Sequence, residues 1–144
     1  MDTLIQNEIK LAMKAKNTDR LRSLRSIKSQ FDILKTSGKE ITEDLQSVTL
    51  QKMIKQRKDS ADVYKSNQRT DLYDVEMQDI SVIEEFLPKQ LTNEEIESEV
   101  DKIISESNIT SIRETGKIMG VFTKKFAGKV DNKVVLEIVK SKLS

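Results

Sequence analysis

The fold is decided by residues 55–88, KQRKDSADVYKSNQRTDLYDVEMQDISVIEEFLP, which predict two consecutive helices joined by a turn at residues 67–70. Apolar residues recur at helical spacing on both sides of this turn. The first helix begins upstream of the quoted stretch and has the apolar positions Leu50, Ile54, Ala61 and Tyr64. The second helix has the apolar positions Leu72, Val75, Ile83 and Phe86. This pattern predicts two adjacent antiparallel helices.

Charged residues interrupt both apolar faces. Arg57 falls within the first face, and Glu76 and Asp79 fall within the second. A buried charge is costly unless an opposite charge and hydrogen bonds compensate it. We therefore predict a partly buried ion network in which Arg57 contacts Glu76 or Asp79. Two interpretations of this network are open: a ligand-binding or active-site cluster, or a structural network between neighbouring helices.

Helix signals also dominate the rest of the chain, where Gly and Pro are rare. Apolar periodicity predicts two helices before the quoted pair, at about residues 3–16 and about residues 20–35. Thr42 is the predicted N-cap of the third helix, which extends to about Ser66. Either Thr70 or the residue after it is the predicted N-cap of the fourth helix.

A domain boundary is predicted at residues 88–91. Pro88 disfavours helical geometry in the residue before it, so the fourth helix is expected to end at Leu87. Three helices are predicted after this boundary, and their N-terminal signals are capping-box patterns at residues 92–95 and 111–114 and an N-cap at Asp131. The predicted fold is therefore all-α, with a four-helix domain at residues 1–88 and a three-helix domain at residues 89–144.

The composition excludes several classes of chemistry. The 144 residues include no cysteine and no histidine, which removes disulfides, thiol chemistry, ordinary zinc sites and the commonest general base. We expect neither a metal nor any other cofactor. No run approaches the roughly 20 apolar residues that span a bilayer, and the N-terminal stretch lacks the apolar core of a signal peptide. We therefore expect a cytoplasmic protein that does not bind membranes.

Charge is segregated along the chain although the formal net charge is only +1. Residues 10–39 contain nine basic and two acidic residues, and residues 113–142 contain eight basic and three acidic residues. Two basic surfaces on a small helical protein are a typical nucleic-acid footprint. The candidate RNA-binding residues are Arg113, Lys117, Lys124, Lys125, Lys129 and Lys133. The alternative interpretation is an ordinary solvated helix face, because surface lysines are common.

Two groups of motifs resemble the GatB/YqeY family, which comprises free-standing YqeY-like proteins and the tail of the B subunit of the tRNA-dependent amidotransferase. The first group is Lys55-Gln56-Arg57, Ser60, Arg69, Asp71-Leu72, Glu76 and Leu87-Pro88. The second group is Gly116-Lys117-Ile118-Met119 and Gly128-Lys129-Val130-Asp131. The chain departs from the family pattern at Gln68, Lys129 and Asn132, where many relatives have Gly, Arg and Gly. The resemblance covers nearly the whole length.

This resemblance implies an all-helical, two-domain protein with a link to tRNA, because the amidotransferase tail meets the tRNA body. We also predict a motif ion network made of Lys55, Arg57, Arg69, Asp71, Glu76 and Asp79, in which Arg69 and Asp71 either cap and brace the turn or serve as a surface recognition site. A carbon–nitrogen ligase activity with glutamine as amido-N-donor is attached to the family by homology. The amidotransferase chemistry belongs to a separate catalytic domain, so we do not expect this chain to catalyse it alone, and we assign no catalytic residue.

Three functions remain as alternatives. The first is a non-catalytic helper that binds tRNA through the basic C-terminal segment. The second is a protein-interaction module that docks on a component of the translation or amidotransferase machinery through the N-terminal helices. The third is an enzyme that uses Arg57, Glu76 and Asp79 as site residues. Retention of tRNA by the purified protein would favour the first, and a stable complex without RNA would favour the second.

Overall fold

The computed structural model describes residues 1–144 and contains seven α-helices and no strand. The helices are α1 (Asp2–Lys14), α2 (Thr18–Thr36), α3 (Glu43–Ser66), α4 (Thr70–Glu84), α5 (Asn93–Ser107), α6 (Thr115–Lys125) and α7 (Asn132–Leu143), and a 3₁₀ turn (Ile112–Glu114) precedes α6. This confirms the predicted all-α fold class. The chain divides into two compact units, Met1–Leu87 and Pro88–Ser144, called here the N-terminal unit and the C-terminal unit.

The N-terminal unit is built from two helical hairpins. Helix α1 packs along α2, α3 packs along α4, and α2 also contacts both α3 and α4. One apolar cluster fills the space between them, and its fully buried members are Ile5, Leu24, Ile27, Phe31, Leu50 and Ile83. Each of these helices therefore buries one apolar stripe and leaves its charged residues to the other faces or to ion pairs.

The start of α4 differs from the prediction. Neither Thr70 nor Asp71 is the N-cap, because Arg69 occupies that position and makes no capping bond with its side chain. Gln68, just before it, has a left-handed backbone with φ of 59°. The positive φ reverses the chain within the short connection between α3 and α4, and the backbone N–H of Arg69 donates to the carbonyl of Tyr64 at 2.8 Å. Backbone bonds thus define this turn where a side-chain cap was expected.

The apolar face and the end of α4 also differ. Val75 was predicted to point inward, but it is 40% exposed, and the buried apolar residues of this helix are Ile80, Val82 and Ile83. The α-helix ends at Glu84 rather than at Leu87. The reason is that the backbone N–H groups of residues 85–87 donate to carbonyls three residues earlier, which tightens the last turn ahead of Pro88.

In the C-terminal unit, α5, α6 and α7 pack around a second apolar cluster. Its fully buried members are Val100, Ile118, Phe122, Val135 and Val139. The predicted capping box between Thr92 and Glu95 is present. The one predicted at Ser111 and Glu114 is not, because Ser111 instead caps the short 3₁₀ turn by accepting from the backbone N–H of Arg113. The N-cap role predicted for Asp131 is confirmed by its hydrogen bond from the backbone N–H of Lys133.

The connection between α6 and α7 is fixed by bonds to the segment that precedes α5. The backbone N–H of Leu91 donates to the carbonyl of Lys129 at 2.9 Å. The side-chain amide of Gln90 donates to the carbonyl of Gly128, also at 2.9 Å. Gly128 itself has a φ of 76°, a left-handed geometry that favours glycine. Lys129 is therefore held at a defined position although its side chain is exposed.

None of the seven helices has both the length and the apolarity to cross a bilayer.

Adjacent residues on α6 test this packing. Phe122 is fully buried and Val121 is 49% exposed. We expect Phe122→Ala to lower the free energy of unfolding by about 3–5 kcal/mol, because it removes a large buried side chain and leaves a cavity. We expect Val121→Ala to change it by less than about 0.5 kcal/mol. Urea denaturation followed by circular dichroism measures both, and equal effects of the two variants would contradict the orientation of α6.

Candidate functional site

The most buried charge in the protein is the carboxylate of Asp79 on α4, a residue that is only 4% exposed. Its Oδ2 accepts from Nη1 of Arg57 on α3 at 2.8 Å. Its Oδ1 accepts from Nη2 of Arg22 at 3.1 Å and from the hydroxyl of Ser23 at 2.5 Å, both on α2. One carboxylate therefore receives donors from two other helices, and both of its oxygens are hydrogen-bonded.

The two arginines extend this arrangement, which we call the Asp79 network. Arg57, whose side chain is 22% exposed, also lies 3.5 Å from Oε2 of Glu76 and donates to the hydroxyl of Ser26 at 2.6 Å. Arg22 donates through the same Nη2 to the side-chain oxygen of Gln78 at 2.8 Å. The hydrogen bond with Asp79 is the largest cause of a raised pKa at Arg22, so this guanidinium keeps its charge. The network thus links α2, α3 and α4.

The geometry favours the structural interpretation of this network over an active site. Asp79 is nearly inaccessible, and the donors around it are directed at protein oxygens. A buried carboxylate compensated by two guanidinium groups is expensive to disrupt, because removal of a partner leaves a buried charge or donor unpaired.

The predicted motif network contains six residues, and the structure brings only three of them together. Arg57 contacts both Glu76 and Asp79. Lys55 is exposed and lies outside the Asp79 network. Arg69 and Asp71 form a separate pair at 3.1 Å beside the turn between α3 and α4, and both are exposed. Their hydrogen bond is the largest cause of both the raised pKa of Arg69 and the lowered pKa of Asp71.

Sequence reasoning missed three partners of the Asp79 network: Arg22, Ser23 and Ser26. No sequence signal identifies these partners, because each of them is at least 31 positions along the chain from the residue it contacts. The burial of Ser23 is known only from the structure.

A second cluster of ion pairs joins α1, α2 and the end of α4. Arg20 lies 3.1 Å from Glu8 on α1 and 2.7 Å from Glu85, the residue after α4. Its pKa is raised, with the hydrogen bond to Glu85 as the largest cause. Residues 71–85 contain six carboxylates, and these pairs together with the Asp79 network use three of them, Glu76, Asp79 and Glu85. Half of this acidic stretch therefore serves contacts between helices of the N-terminal unit.

The predicted RNA-binding residues all lie in the C-terminal unit, and all six are exposed. They form what we call the basic surface: Arg113, Lys117, Lys124, Lys125, Lys129 and Lys133. Two of them are paired with carboxylates, Lys117 with Glu114 at 3.8 Å and Lys125 with Glu99 at 3.3 Å. The other four form no ion pair within the protein.

Glu99 on α5 is the acidic residue that most affects this surface. Burial acts to raise its pKa, but hydrogen bonds from Lys125 and Lys102 outweigh burial and leave the pKa lowered. Glu99 is therefore ionised near neutral pH and competes with any external anion for Lys125.

Comparison with known families agrees with the motifs. The profile of the family described as Yqey-like protein matches residues 2–143. The chain belongs to the YqeY-like family. This confirms the resemblance found in the sequence.

Two relatives of this YqeY-like chain come from yeasts. An uncharacterised protein of Schizosaccharomyces pombe is 28% identical over 94 residues, covering 65% of this chain and 76% of the relative. A protein of Clavispora lusitaniae named altered inheritance of mitochondria protein 41, mitochondrial, is 32% identical over 101 residues. That alignment covers 69% of this chain and 59% of the relative, so the YqeY-like chain spans about three fifths of the longer protein.

The Asp79 network predicts a graded loss of stability. Asp79→Ala should lower the free energy of unfolding by about 3–5 kcal/mol, because it leaves the guanidinium of Arg57 without its main partner. Arg57→Ala should cost less, about 3 kcal/mol at most, because Asp79 keeps Arg22 and Ser23 and the Arg57 side chain is already partly solvated.

Arg69→Ala is the matched control, since it removes an arginine from an exposed ion pair. We expect its urea midpoint to coincide with that of the parent. If Asp79→Ala unfolds at the parent's urea concentration, the carboxylate does not stabilise the packing of α2 against α3 and α4.

Proposed function

We propose that this YqeY-like protein is a non-catalytic helper that binds tRNA through the basic surface of its C-terminal unit. The observation that carries the proposal is the exposure of all six basic side chains, four of which have no carboxylate partner within the protein. Unpaired, exposed cations attract the phosphates of a nucleic acid, and counterion release supplies most of the binding energy.

The family relationship supports the same partner. The segment at residues 116–131 resembles the part of the amidotransferase B subunit that meets tRNA, and it contains four of the six residues of the basic surface. Lys129 replaces an arginine that many relatives have. It keeps the positive charge but lacks the planar guanidinium group that can form two hydrogen bonds with one phosphate, so we expect it to act as a point charge.

The Asp79 network supports a non-catalytic role. Its charged groups are directed at one another inside the N-terminal unit. A carbon–nitrogen ligase activity would then belong to a partner that this protein assists. We place the helper in the cytoplasm, and the name of the Clavispora relative extends the family to mitochondria.

A protein-docking function is the second candidate, and one observation favours it. The first hairpin of the N-terminal unit exposes four large apolar side chains, each more than half exposed: Leu4, Leu11, Met13 and Ile33. Exposed apolar groups of this size are common on partner-binding surfaces, although single ones also occur on ordinary surfaces. A complex with a protein of the translation or amidotransferase machinery that persists after nuclease treatment would put this candidate first.

Charge reversal on α6 tests the tRNA proposal. The triple variant Lys117→Glu, Lys124→Glu, Lys125→Glu should abolish the mobility shift of tRNA at low salt, because three attractive contacts become repulsive. All three side chains are exposed, so the variant should still fold, with a melting temperature lowered because Lys117 and Lys125 lose their ion pairs with Glu114 and Glu99. Reversal of Lys52, Lys55 and Lys58, three exposed lysines of α3, is the control and should leave tRNA binding in place.

The salt dependence gives an independent measure. If all six cations contact phosphates of a duplex, the slope of log Kobs against log[salt] should be about −5, and Lys124→Ala should reduce its magnitude by roughly 1. Absence of tRNA binding by the parent, or binding unchanged by the triple reversal, contradicts the proposal.

Because Glu99 competes with tRNA for Lys125, removal of the Glu99 charge should strengthen tRNA binding, whereas the lysine reversals weaken it. Glu99→Gln removes a negative charge from the border of the basic surface and frees Lys125 from its pair at 3.3 Å. We expect tRNA to bind more tightly by up to about fivefold, because an exposed ion pair is worth about 0.2–1 kcal/mol. Glu106→Gln, at an exposed position of the same helix, is the control for net charge alone. Equal gains from both variants would mean that Lys125 is not held back by Glu99.

A further inference from the structure

Helix α6 is the only α-helix of the protein that contains glycine, and both of its glycines lie on its outward face. This face consists of Gly116, Lys117, Gly120, Val121 and Lys124, and all five residues are exposed. The two glycines lie four residues apart and the two lysines seven residues apart, so each pair shares one side of the helix. The face itself has no acidic residue, although Glu114 pairs with Lys117 at its N-terminal end at 3.8 Å. It is a narrow strip with bare backbone at the two glycines and a lysine toward each end.

The fold of this protein does not require the two glycines. Neither has a positive φ, so ordinary helical geometry is present at both positions. A Cβ atom added at either position would meet no heavy atom within 4 Å, so packing does not exclude alanine. Glycine inside a helix is nevertheless less stable than alanine, and Gly120 stands in the middle of α6. Within the chain itself, these glycines bring a cost in stability with no compensating contact.

A glycine on a helix surface has one further consequence: another molecule can approach the backbone more closely there than at any other residue. The positive charges beside the glycines favour a negatively charged partner. Lys117 adjoins one glycine and lies 3.8 Å from Glu114, whereas Lys124 lies one turn beyond the other glycine and has no ion pair within the protein. A strip of this kind suits a polyanionic backbone rather than an acidic side chain at a single point.

The aromatic residues of the C-terminal unit indicate which form of RNA this face suits. Phe122 is fully buried, and Phe126 packs against it with a ring centroid distance of 4.8 Å. The ammonium of Lys125 covers the Phe126 ring at 5.3 Å. The unit has no other aromatic residue and therefore no free aromatic platform on which unpaired bases stack, and Arg113 is its only guanidinium. Duplex RNA, in contrast, is recognised through its backbone and its wide, shallow minor groove, without stacking.

We propose that the outward face of α6 lies against the sugar–phosphate backbone of double-stranded RNA, with Gly116 and Gly120 at the point of closest approach. This rests on the proposed function and specifies which part of a tRNA the protein contacts: a base-paired stem rather than a loop. The lysines contribute affinity by contacting phosphates, and the glycines allow the helix backbone to lie close to the duplex surface.

The test uses the full chain and two probes, an RNA hairpin with a stem of about 16 base pairs and an unstructured single strand of the same length. The variants are Gly116→Ala and Gly120→Ala, singly and together, and Gly120→Gln. Each Gly→Ala change should raise the melting temperature, by about 4 °C for Gly120, because alanine favours the helix. The double alanine variant should bind the hairpin about tenfold more weakly, and Gly120→Gln should lose more. The matched control is Ser105→Ala, at an exposed position of α5, which should stabilise slightly and leave binding unchanged.

Higher stability together with weaker binding is the expected signature, since a general structural defect would lower both. If the double alanine variant binds the hairpin as the parent does while the lysine reversals abolish binding, the close approach is refuted and the tRNA-binding function stands. If the single strand binds as tightly as the hairpin, the duplex assignment is refuted. If the parent retains no RNA of either kind, the proposed function fails and this inference fails with it.

Discussion

The packing of the N-terminal unit depends on the hydrogen bonds that the Asp79 carboxylate accepts. Apolar contacts between α2, α3 and α4 supply most of the driving force for packing, but such contacts are not directional. The bonds from Arg22, Ser23 and Arg57 to Asp79 are directional, because guanidinium and hydroxyl donors must point at particular oxygens. A shift of one helix along another would leave this carboxylate buried without its donors. We interpret the network as the device that fixes the relative positions of these three helices.

This constraint also explains how the N-terminal unit uses its charges. Arginine carries the ion pairs that join its helices, at Arg20, Arg22 and Arg57. Guanidinium groups suit this role, since they are weakly hydrated and offer several donors in a fixed plane. Three of the six carboxylates at residues 71–85, those of Glu76, Asp79 and Glu85, belong to these pairs, so half of the acidity of this stretch serves the packing of helices.

Much of the fold was predictable from local sequence. Apolar periodicity and caps such as Thr42 and Thr92 act within one or two helical turns, and the structure has these features where the sequence places them. Val75 was placed wrongly because a stripe interrupted by Glu76 and Asp79 fits two neighbouring helical phases, and burial of Ile80 selects the other one. The end of α4 was misplaced because Pro88 shows only that the helix ends before it. It does not show that the last turn has hydrogen bonds to carbonyls three residues earlier.

The candidate site was predictable only in part. The phase of Arg57 and Asp79 on their helices predicted a contact across one short turn, and the two residues do meet. Arg22 and Ser23 could not be placed beside Asp79 in this way, because they are 57 and 56 positions away along the chain and their contact depends on how α2 packs. Long-range partners of this kind require the tertiary structure. The exposure of the six basic residues is likewise a property of packing.

The two units use positive charge in different physical forms, and this difference bears on recognition. Lysine makes up five of the six residues of the basic surface, whereas arginine carries the Asp79 network. An ammonium group is compact, strongly hydrated and attached to a flexible chain, so it attracts phosphates without imposing a geometry on them. A lysine surface therefore favours affinity over sequence discrimination. Under the proposed tRNA-binding function, discrimination between RNA forms would then come from shape, and the feature that we propose responds to shape is the bare backbone of α6 at Gly116 and Gly120. A surface of this kind would select a stem by its contour and tolerate any base sequence within it.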